Sequence, residues 1–176
     1  MSLGPTPSQT VGPFFGFALI GSVGGELVAQ DAPGAVRIEG SVIDGDGVPV
    51  PDALVEIWQA DADGRYAGEN GFTGFGRSGT ESGGFSFVTI KPGRVPGEDG
   101  ALQAPHVDVS VFARGLLKHL VTRIYFPDEE DANATDPLLS ALEPDERATL
   151  IAVPAADGLR FDIRLQGEGQ TVFLAV

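Results

Sequence analysis

Short β-type runs separated by tight-turn chemistry most limit how this chain can fold. Apolar and β-branched residues dominate runs of six to eight residues, and Gly-rich segments stand between several of them. The runs cover residues 36–43, 53–60, 85–90, 106–113, 119–126, 159–165 and 171–176, and the turns cover residues 44–47, 61–64, 81–84 and 166–170. Short strands at this spacing, with little helix between them, predict an all-β sandwich.

The sequence favours a helix only at residues 136–148. Asp136 is a suitable N-cap, and Pro137 follows it at the first helical position, where the missing proline N–H costs no hydrogen bond. We expect one or two helical turns there.

The first 35 residues differ from the rest of the chain. They are rich in Gly and Pro, and the rings of Phe14, Phe15 and Phe17 need a covering surface, in this chain or in another. Composition alone would describe such a segment as a disordered terminus. We instead expect residues 1–35 to form an arm that packs on a partner subunit, and residues 36–176 to form a single β-sandwich domain.

The chain is strongly acidic and contains no cysteine. Lys and Arg number 11 against 25 Asp and Glu, which gives a formal net charge of -14. Such a surface repels phosphate backbones and anionic lipids, which argues against nucleic acid and membrane partners. Any anionic substrate must then be held by a few locally placed cations. Without cysteine there are no disulfides, zinc thiolates or thiol nucleophiles.

Residues 11–24 are apolar enough to be compared with a signal peptide. No basic residue precedes Arg37, and Pro5, Pro7 and Pro13 interrupt any helix in this region. We therefore expect no targeting segment, no transmembrane span and a cytoplasmic location.

The run from His106 to Ala113 has the form of a strand that carries metal ligands on one face. The period of two places the valines at 107, 109 and 111 on the core face, and it places His106 and Asp108 together on the opposite face. Where a His-x-His pair would bind iron, this chain has His106-Val107-Asp108.

Several blocks in collinear order resemble the intradiol ring-cleavage dioxygenases. They are SQTVGPF (8–14), EIWQAD (56–61) with GRY (64–66), TIKPG (89–93) and the block from Ala104 to Phe126. The C-terminal segment RFDIRLQGEGQTVF (160–173) resembles the noncatalytic chains of two-chain members in particular. The match spans nearly the whole chain, and the combination of motifs is specific although no single one is.

The resemblance implies a β-sandwich with a ferric iron site of two Tyr and two His. The first Tyr position matches Tyr66, whereas the second, which follows Lys-Pro-Gly, is Val95. The two His positions match His106 and Asp108. Because two of the four ligands are missing, we expect neither a metal nor a catalytic residue on this chain.

The resemblance also implies that this chain works with a partner. A homologous second chain would carry Fe(III), and the pair would form a composite pocket for a small dihydroxylated aromatic acid and O2. Because the arm of such noncatalytic chains helps wall the pocket, we expect Thr10 and Pro13 to contact substrate. A higher hetero-oligomer is expected.

Arg123 has two interpretations. If residues 106–113 and 119–126 form a hairpin, Asp108 opposes Arg123 and His106 opposes Tyr125, so that Arg123 forms a cross-strand ion pair. In catalytic chains of the family a Gln tends to stand at the matching place, and a guanidinium there is well shaped to bind the carboxylate of an aromatic acid. Both interpretations stay open, and the resemblance favours substrate binding.

Other metal sites are less well supported. The same register puts His119 and Tyr125 at opposite ends of their strand, roughly 20 Å apart at about 3.3 Å per residue. This excludes His119 as a partner of His106. It also weakens the alternative of a site of two His and one carboxylate, for which His119 is the only available third ligand. Tyr66, His106, Asp108 and Tyr125 could converge on a weak adventitious metal site, but packed, hydrogen-bonded remnants are the simpler interpretation. We expect Trp58 in the core.

A different class of protein also fits part of the chain. Residues 40–57 and 83–93 resemble carboxypeptidase-regulatory-like domains, which are free β-sandwich binding modules without an enzymatic role. That interpretation leaves the aromatic arm and residues 103–126 unexplained. A self-sufficient catechol dioxygenase would lack ligands. The sequence therefore favours a noncatalytic, pocket-forming subunit of an intradiol dioxygenase.

Overall fold

Strands make up most of the regular structure. The computed structural model describes residues 4–12, 14–20, 24–66, 71–97 and 100–175. The strands are β1 (Ala35–Gly40), β2 (Val42–Ile43), β3 (Leu54–Trp58), β4 (Phe75–Gly79), β5 (Phe85–Ile90), β6 (His106–Phe112), β7 (Leu120–Tyr125), β8 (Val153–Ala155), β9 (Gly158–Arg160) and β10 (Ile163–Arg164). The helices are α1 (Phe14–Ile20), α2 (Glu130–Thr135), α3 (Pro137–Ser140) and α4 (Pro144–Ala148).

Two four-stranded sheets enclose the main core. Their strand orders are β5-β1-β9-β8 and β4-β3-β6-β7, and β10 pairs with β2 in a short ribbon. Ile38 and Phe87 from the first sheet pack with Val55 and Val109 from the second, all of them buried. The predicted β-sandwich is confirmed, since each sheet contributes one apolar face to a shared core.

Most strand predictions are confirmed, although the runs at 36–43 and 159–165 each divide into two strands, β1 and β2 and β9 and β10. There are three further differences. Residues 171–176 were expected to form a strand, but Leu174 makes only an isolated bridge to Val121. Strands β4 and β8 were not expected. The sequence FGRSG of β4 has no alternating apolar pattern and becomes a strand by pairing along β3. Strand β8 contains Pro154, which is tolerated because β8 lies at the edge of its sheet.

The helix at residues 136–148 is confirmed as α3 and α4, with Asp136 as the N-cap of α3. The prediction that helix is confined to this region is wrong, because α1 and α2 also form. Helix α1 lies in the predicted arm, where the ring of Phe15 packs 5.3 Å from that of Phe112. The ring of Phe14 remains 77% exposed. In the described ranges no helix is long and apolar enough to cross a membrane.

Residues 24–34 of the predicted arm lie against their own domain. Leu27 N and Val28 N donate to Val88 O at 2.8 and 3.3 Å, and Val88 N donates to Gly25 O at 2.8 Å. The side chain of Leu27 packs on the main core. The packing of the arm on a partner subunit stays a prediction.

Candidate functional site

The candidate site lies on the outer face of the β6–β7 hairpin. The valines of β6 are buried in the core, and Asp108 lies on the opposite face. Strand β6 pairs with β7 so that Asp108 opposes Arg123 and His106 opposes Tyr125. The register predicted from the sequence is therefore confirmed. It brings a carboxylate, a guanidinium, an imidazole and a phenol together at one end of the hairpin.

Two loops bring Tyr66 and Val95 to the same end of the sheet. Gly93 N donates to Asp61 O at 2.8 Å, which ties the Lys-Pro-Gly turn to the turn before Tyr66. The two backbones approach so closely that a Cβ on Gly64, whose φ is +78°, would lie 2.2 Å from Arg94 O. Gln103 N donates to Val95 O at 2.9 Å, which fixes the second loop to the segment before β6.

Tyr66 stacks on Trp58 at the surface. The ring centroids are 5.9 Å apart with an interplanar angle of 7°, and both residues are about 40% exposed, at 41% and 39%. The expectation that Trp58 lies in the core is wrong, because Ile57 points inward and strand alternation turns Trp58 outward. Burial raises the pKa of the Tyr66 phenol, the nearby Asp108 carboxylate raises it further and Arg123 opposes this. Tyr66 thus lies within the field of both charges.

Arg123 is held by an ion pair and further polar partners. Its Nε donates to Asp108 Oδ1 at 2.8 Å, and its Nη1 donates to Gln103 Oε1 at 2.6 Å and reaches the Tyr125 hydroxyl at 3.5 Å. The side chains of Arg123 and Asp108 are 20% and 28% exposed. The structural interpretation of Arg123 therefore has direct geometric support. Gln103 was not singled out from the sequence, since nothing in its local pattern distinguishes it from a loop residue.

His106 is buried and only half satisfied. Its Nδ1 lies 2.8 Å from Ala104 O, a carbonyl that can only accept, so Nδ1 carries the hydrogen. Its Nε2 is buried without a hydrogen-bond partner among the described residues, 3.9 Å from Asp108 Oδ1. Burial lowers the pKa of His106, and the positive charge of Arg123 lowers it further. The imidazole is therefore neutral, with a lone pair on Nε2.

Asp136 is a buried carboxylate that binds two of the segments around the site. Its carboxylate is fully buried and accepts from Ala104 N at 2.8 Å and from the Tyr125 hydroxyl at 3.1 Å, in addition to capping α3. Burial raises the pKa of the Tyr125 phenol, which is a neutral donor at physiological pH. The sequence predicts the cap but not these two contacts, because Tyr125 and Ala104 lie about 10 and 30 residues before Asp136 in the chain.

The residues at the four ligand positions do not fit ferric iron. Val95 is a buried hydrocarbon side chain, 4% exposed, and the Asp108 carboxylate is engaged by Arg123. Tyr66 and His106 keep their donor atoms. Across the part of the chain that the structure describes, no group of three or more His, Asp or Glu side chains is arranged to hold a metal ion.

The predicted substrate-binding residues do not lie together. Thr10 Oγ1 accepts from Gly115 N at 2.8 Å, in the turn between β6 and β7. Arg123 pairs with Asp108, which lies four residues before Phe112 at the end of β6. At about 3.3 Å per residue, Asp108 is about 13 Å from that end of the strand. Pro13 lies outside the described residues. Arg114, the residue before Gly115, is an exposed cation at this turn and pairs with Asp52.

The arm and the hairpin turn also enclose a groove. Its volume is about 610 Å³, and its walls come from the arm, the β6–β7 turn and the C-terminal segment. Val11, Phe15 and Phe112 are among its apolar lining residues, and His119 is among the polar ones. His119 stacks on Phe112 with ring centroids 5.2 Å apart, at the other end of β6 from His106.

Comparison with known proteins identifies the family. A family model described as Dioxygenase matches residues 26–167. The chain is 44% identical over 190 residues to the protocatechuate 3,4-dioxygenase alpha chain of Pseudomonas putida, with 96% of this chain and 94% of that one covered. The chain belongs to the intradiol ring-cleavage dioxygenases. Similarity to the protocatechuate 3,4-dioxygenase beta chain of Burkholderia cepacia is 34% identity over 156 residues, covering 77% of this chain and 66% of that one.

Solved structures of dioxygenases share the fold. The dioxygenase domain of a dioxygenase and carbohydrate-binding protein fusion from Streptomyces sp. SirexAA-E matches with a TM-score of 0.63 and 31% identity, covering 96% of this chain and 100% of that one. Catechol 1,2-dioxygenase from Pseudomonas arvilla C-1 matches with a TM-score of 0.62 at 22% identity, covering 81% of this chain and 55% of that one, which speaks for the fold alone.

Proposed function

We propose that this chain is the noncatalytic, pocket-forming alpha subunit of a protocatechuate 3,4-dioxygenase. The complex cleaves protocatechuate with O2 to 3-carboxy-cis,cis-muconate, a step in aromatic degradation by the beta-ketoadipate pathway. A homologous beta chain holds the Fe(III). The observation that carries the proposal is the altered ligand set in a chain otherwise similar to alpha chains over its whole length: Val95 replaces one ligand and an Asp108–Arg123 ion pair replaces another.

The rival function, a free-standing binding module, has less support. Such a module needs no partner, yet the chain is similar along most of its length to both an alpha and a beta chain of one two-chain enzyme. The exposed ring of Phe14 also suits a segment that contacts another subunit.

Metal content and turnover test the proposal. The chain should be purified alone and after co-expression with a homologous beta chain. We expect no stoichiometric iron and no protocatechuate cleavage by the chain alone, and both in the complex. Stoichiometric, tightly held iron in the isolated chain would show that it is a catalyst in its own right. A chain that never associates with a beta chain would favour the binding module.

We also propose that the arm and the hairpin turn form this chain's wall of the substrate pocket. Thr10 lies at that turn, the groove of about 610 Å³ opens beside it, and Arg114 is an exposed cation next to Gly115 in the same turn. An arginine fork suits a benzoate carboxylate. In this proposal Arg114 donates to the substrate and Arg123 stays in its ion pair. The competing proposal, carried from the sequence, is that Arg123 holds the carboxylate.

Protocatechuate and catechol separate the two proposals, because catechol has no carboxylate. Losing one partner of a desolvated charge pair costs about 2 to 5 kcal/mol, and each ~1.4 kcal/mol is tenfold. In the complex, Arg114→Ala should raise KM for protocatechuate at least about tenfold and leave catechol nearly unchanged. Arg123→Ala should affect both substrates equally. The reverse pattern would favour Arg123 as the carboxylate donor.

A further inference from the structure

The buried Nε2 of His106 faces an electron-rich neighbour. The side chain of His106 is 2% exposed, and its Nδ1 hydrogen is used by Ala104 O, so Nε2 presents a lone pair. Asp108 Oδ1, which lies 3.9 Å from Nε2, is also an acceptor. Two acceptors that face each other call for a cation or a hydrogen-bond donor at the site.

Arg123 supplies that cation at the same oxygen. Its Nε donates to Asp108 Oδ1 at 2.8 Å, while its Nη1 is tied to Gln103 Oε1 at 2.6 Å. The guanidinium is therefore fixed by two strong contacts on different segments. Its charge also acts on the neighbouring groups, since it lowers the pKa of His106 and opposes the rise in the pKa of the Tyr66 phenol.

A metal and this guanidinium cannot use the site together. A metal held between His106 and Asp108 would use Oδ1, the oxygen that lies 3.9 Å from His106 Nε2 and already accepts from Arg123 Nε. Two cations within a few ångströms also repel strongly in a partly buried setting. Imidazole nitrogen and carboxylate oxygen are ligands suited to divalent ions such as Co²⁺ and Zn²⁺, and two protein ligands completed by water are enough for a weak site. The loss of two ligands alone therefore does not explain why the remaining donors should stay free of metal.

We propose that Arg123 is the resident cation of this degenerate site and excludes divalent transition metals from it. Replacing Arg123 with a neutral side chain releases Asp108 Oδ1 and leaves His106 Nε2 beside it. The site then binds a divalent metal through His106 and Asp108, with the Tyr66 phenol on the same face. The ligand class is a divalent first-row metal ion, and not the ferric iron of the catalytic chains.

Titration of the full chain with Co²⁺ tests this proposal. The variants are Arg123→Met, which keeps an unbranched side chain without charge, and Arg160→Met as a matched control at a cation whose side chain is 55% exposed. Visible d–d absorption reports ligation by protein donors. We expect a dissociation constant at least about tenfold lower in Arg123→Met than in the wild type or the control. Adding His106→Gln to Arg123→Met should abolish the gain.

Several outcomes would overturn the proposal. One is Co²⁺ binding by the wild type as tight as by Arg123→Met, and another is binding that survives His106→Gln. Circular dichroism verifies the fold of each variant. If Arg123→Met does not fold, Arg123→Ala provides the same test, because it removes the charge and leaves no side-chain donor for Asp108. The absence of a tighter Co²⁺ complex in a folded Arg123→Ala chain would equally refute the role of Arg123.

Discussion

Asp136 should contribute more to stability than any other carboxylate near the site. It is fully buried and accepts four hydrogen bonds: from Leu138 N, Leu139 N, Ala104 N and the Tyr125 hydroxyl. Losing a cap costs about 1 kcal/mol, and leaving a buried donor unsatisfied costs about 1 to 3 kcal/mol. Since the Tyr125 hydroxyl can turn toward another partner and Ala104 N cannot, we expect Asp136→Ala to lower the free energy of unfolding by about 2 to 4 kcal/mol.

Urea unfolding followed by circular dichroism measures this loss as a lower midpoint with an unchanged slope. Asp136→Asn keeps the oxygen that caps α3 and accepts from Tyr125, but it turns its amide nitrogen, a donor, toward Ala104 N, so its loss should be smaller. Asp145, an exposed acid in the first turn of α4, is the control, and Asp145→Ala should stay within about 0.5 kcal/mol of the wild type. A loss of about 1 kcal/mol or less for Asp136→Ala would mean that only the cap matters. The contacts from Asp136 to β7 and to the segment before β6 would then have no energetic role.

Three further predictions concern the charges and the arm. Because the pKa of His106 is lowered in the folded chain, the unfolded chain binds the proton first as the pH falls. The free energy of unfolding should therefore fall by up to about 1.4 kcal/mol between pH 7.5 and 5.5. In urea titrations, His106→Gln should remove this pH dependence and His119→Gln should keep it. Deleting residues 1–17 should weaken association with the beta chain in a binding assay, because each phenylalanine ring of the arm that is buried on association contributes about 1.5 to 3 kcal/mol to binding. Unchanged affinity and turnover would show that the arm is not part of the interface. Asp108→His should lower the free energy of unfolding by about 2 to 3 kcal/mol, because it leaves Arg123 unpaired. Adding Arg123→Gln to this variant should recover most of the loss. Strictly additive losses for the two substitutions would contradict the role of the ion pair.

The β6–β7 hairpin could be predicted from the sequence because its determinants are local. Alternating valines set the faces of β6, and a short connection fixes the register that pairs Asp108 with Arg123. The N-cap at Asp136 was equally readable, since an Asp before a Pro is a local signal. In contrast, β4 carries Gly, Arg and Ser and owes its conformation to β3, which no single-strand pattern reveals.

The parts of the site that could not be predicted depend on long-range packing. His106 Nε2 has no hydrogen-bond partner among the described residues because the surrounding segments close tightly over the ring. The stacking of Tyr66 on Trp58 depends on where the turn at Gly64 places the phenol. The position of Thr10 at Gly115 joins residues separated by 105 positions. Such contacts carry no periodic signal, so sequence reasoning placed Thr10 and Arg123 in one pocket although the fold separates them.

The residues at the degenerate site satisfy one another without a metal ion. A buried Val95 needs no polar partner, and Asp108 and Arg123 satisfy each other's charge across the strand pair. Replacing any one of these three residues with a metal ligand would leave a polar group without a partner in an apolar pocket, or an unpaired charge on a partly buried face. Both cost free energy. A ligand set could therefore return only if several positions changed together. Selection on this chain can then act on its surface toward a partner without any constraint from a metal.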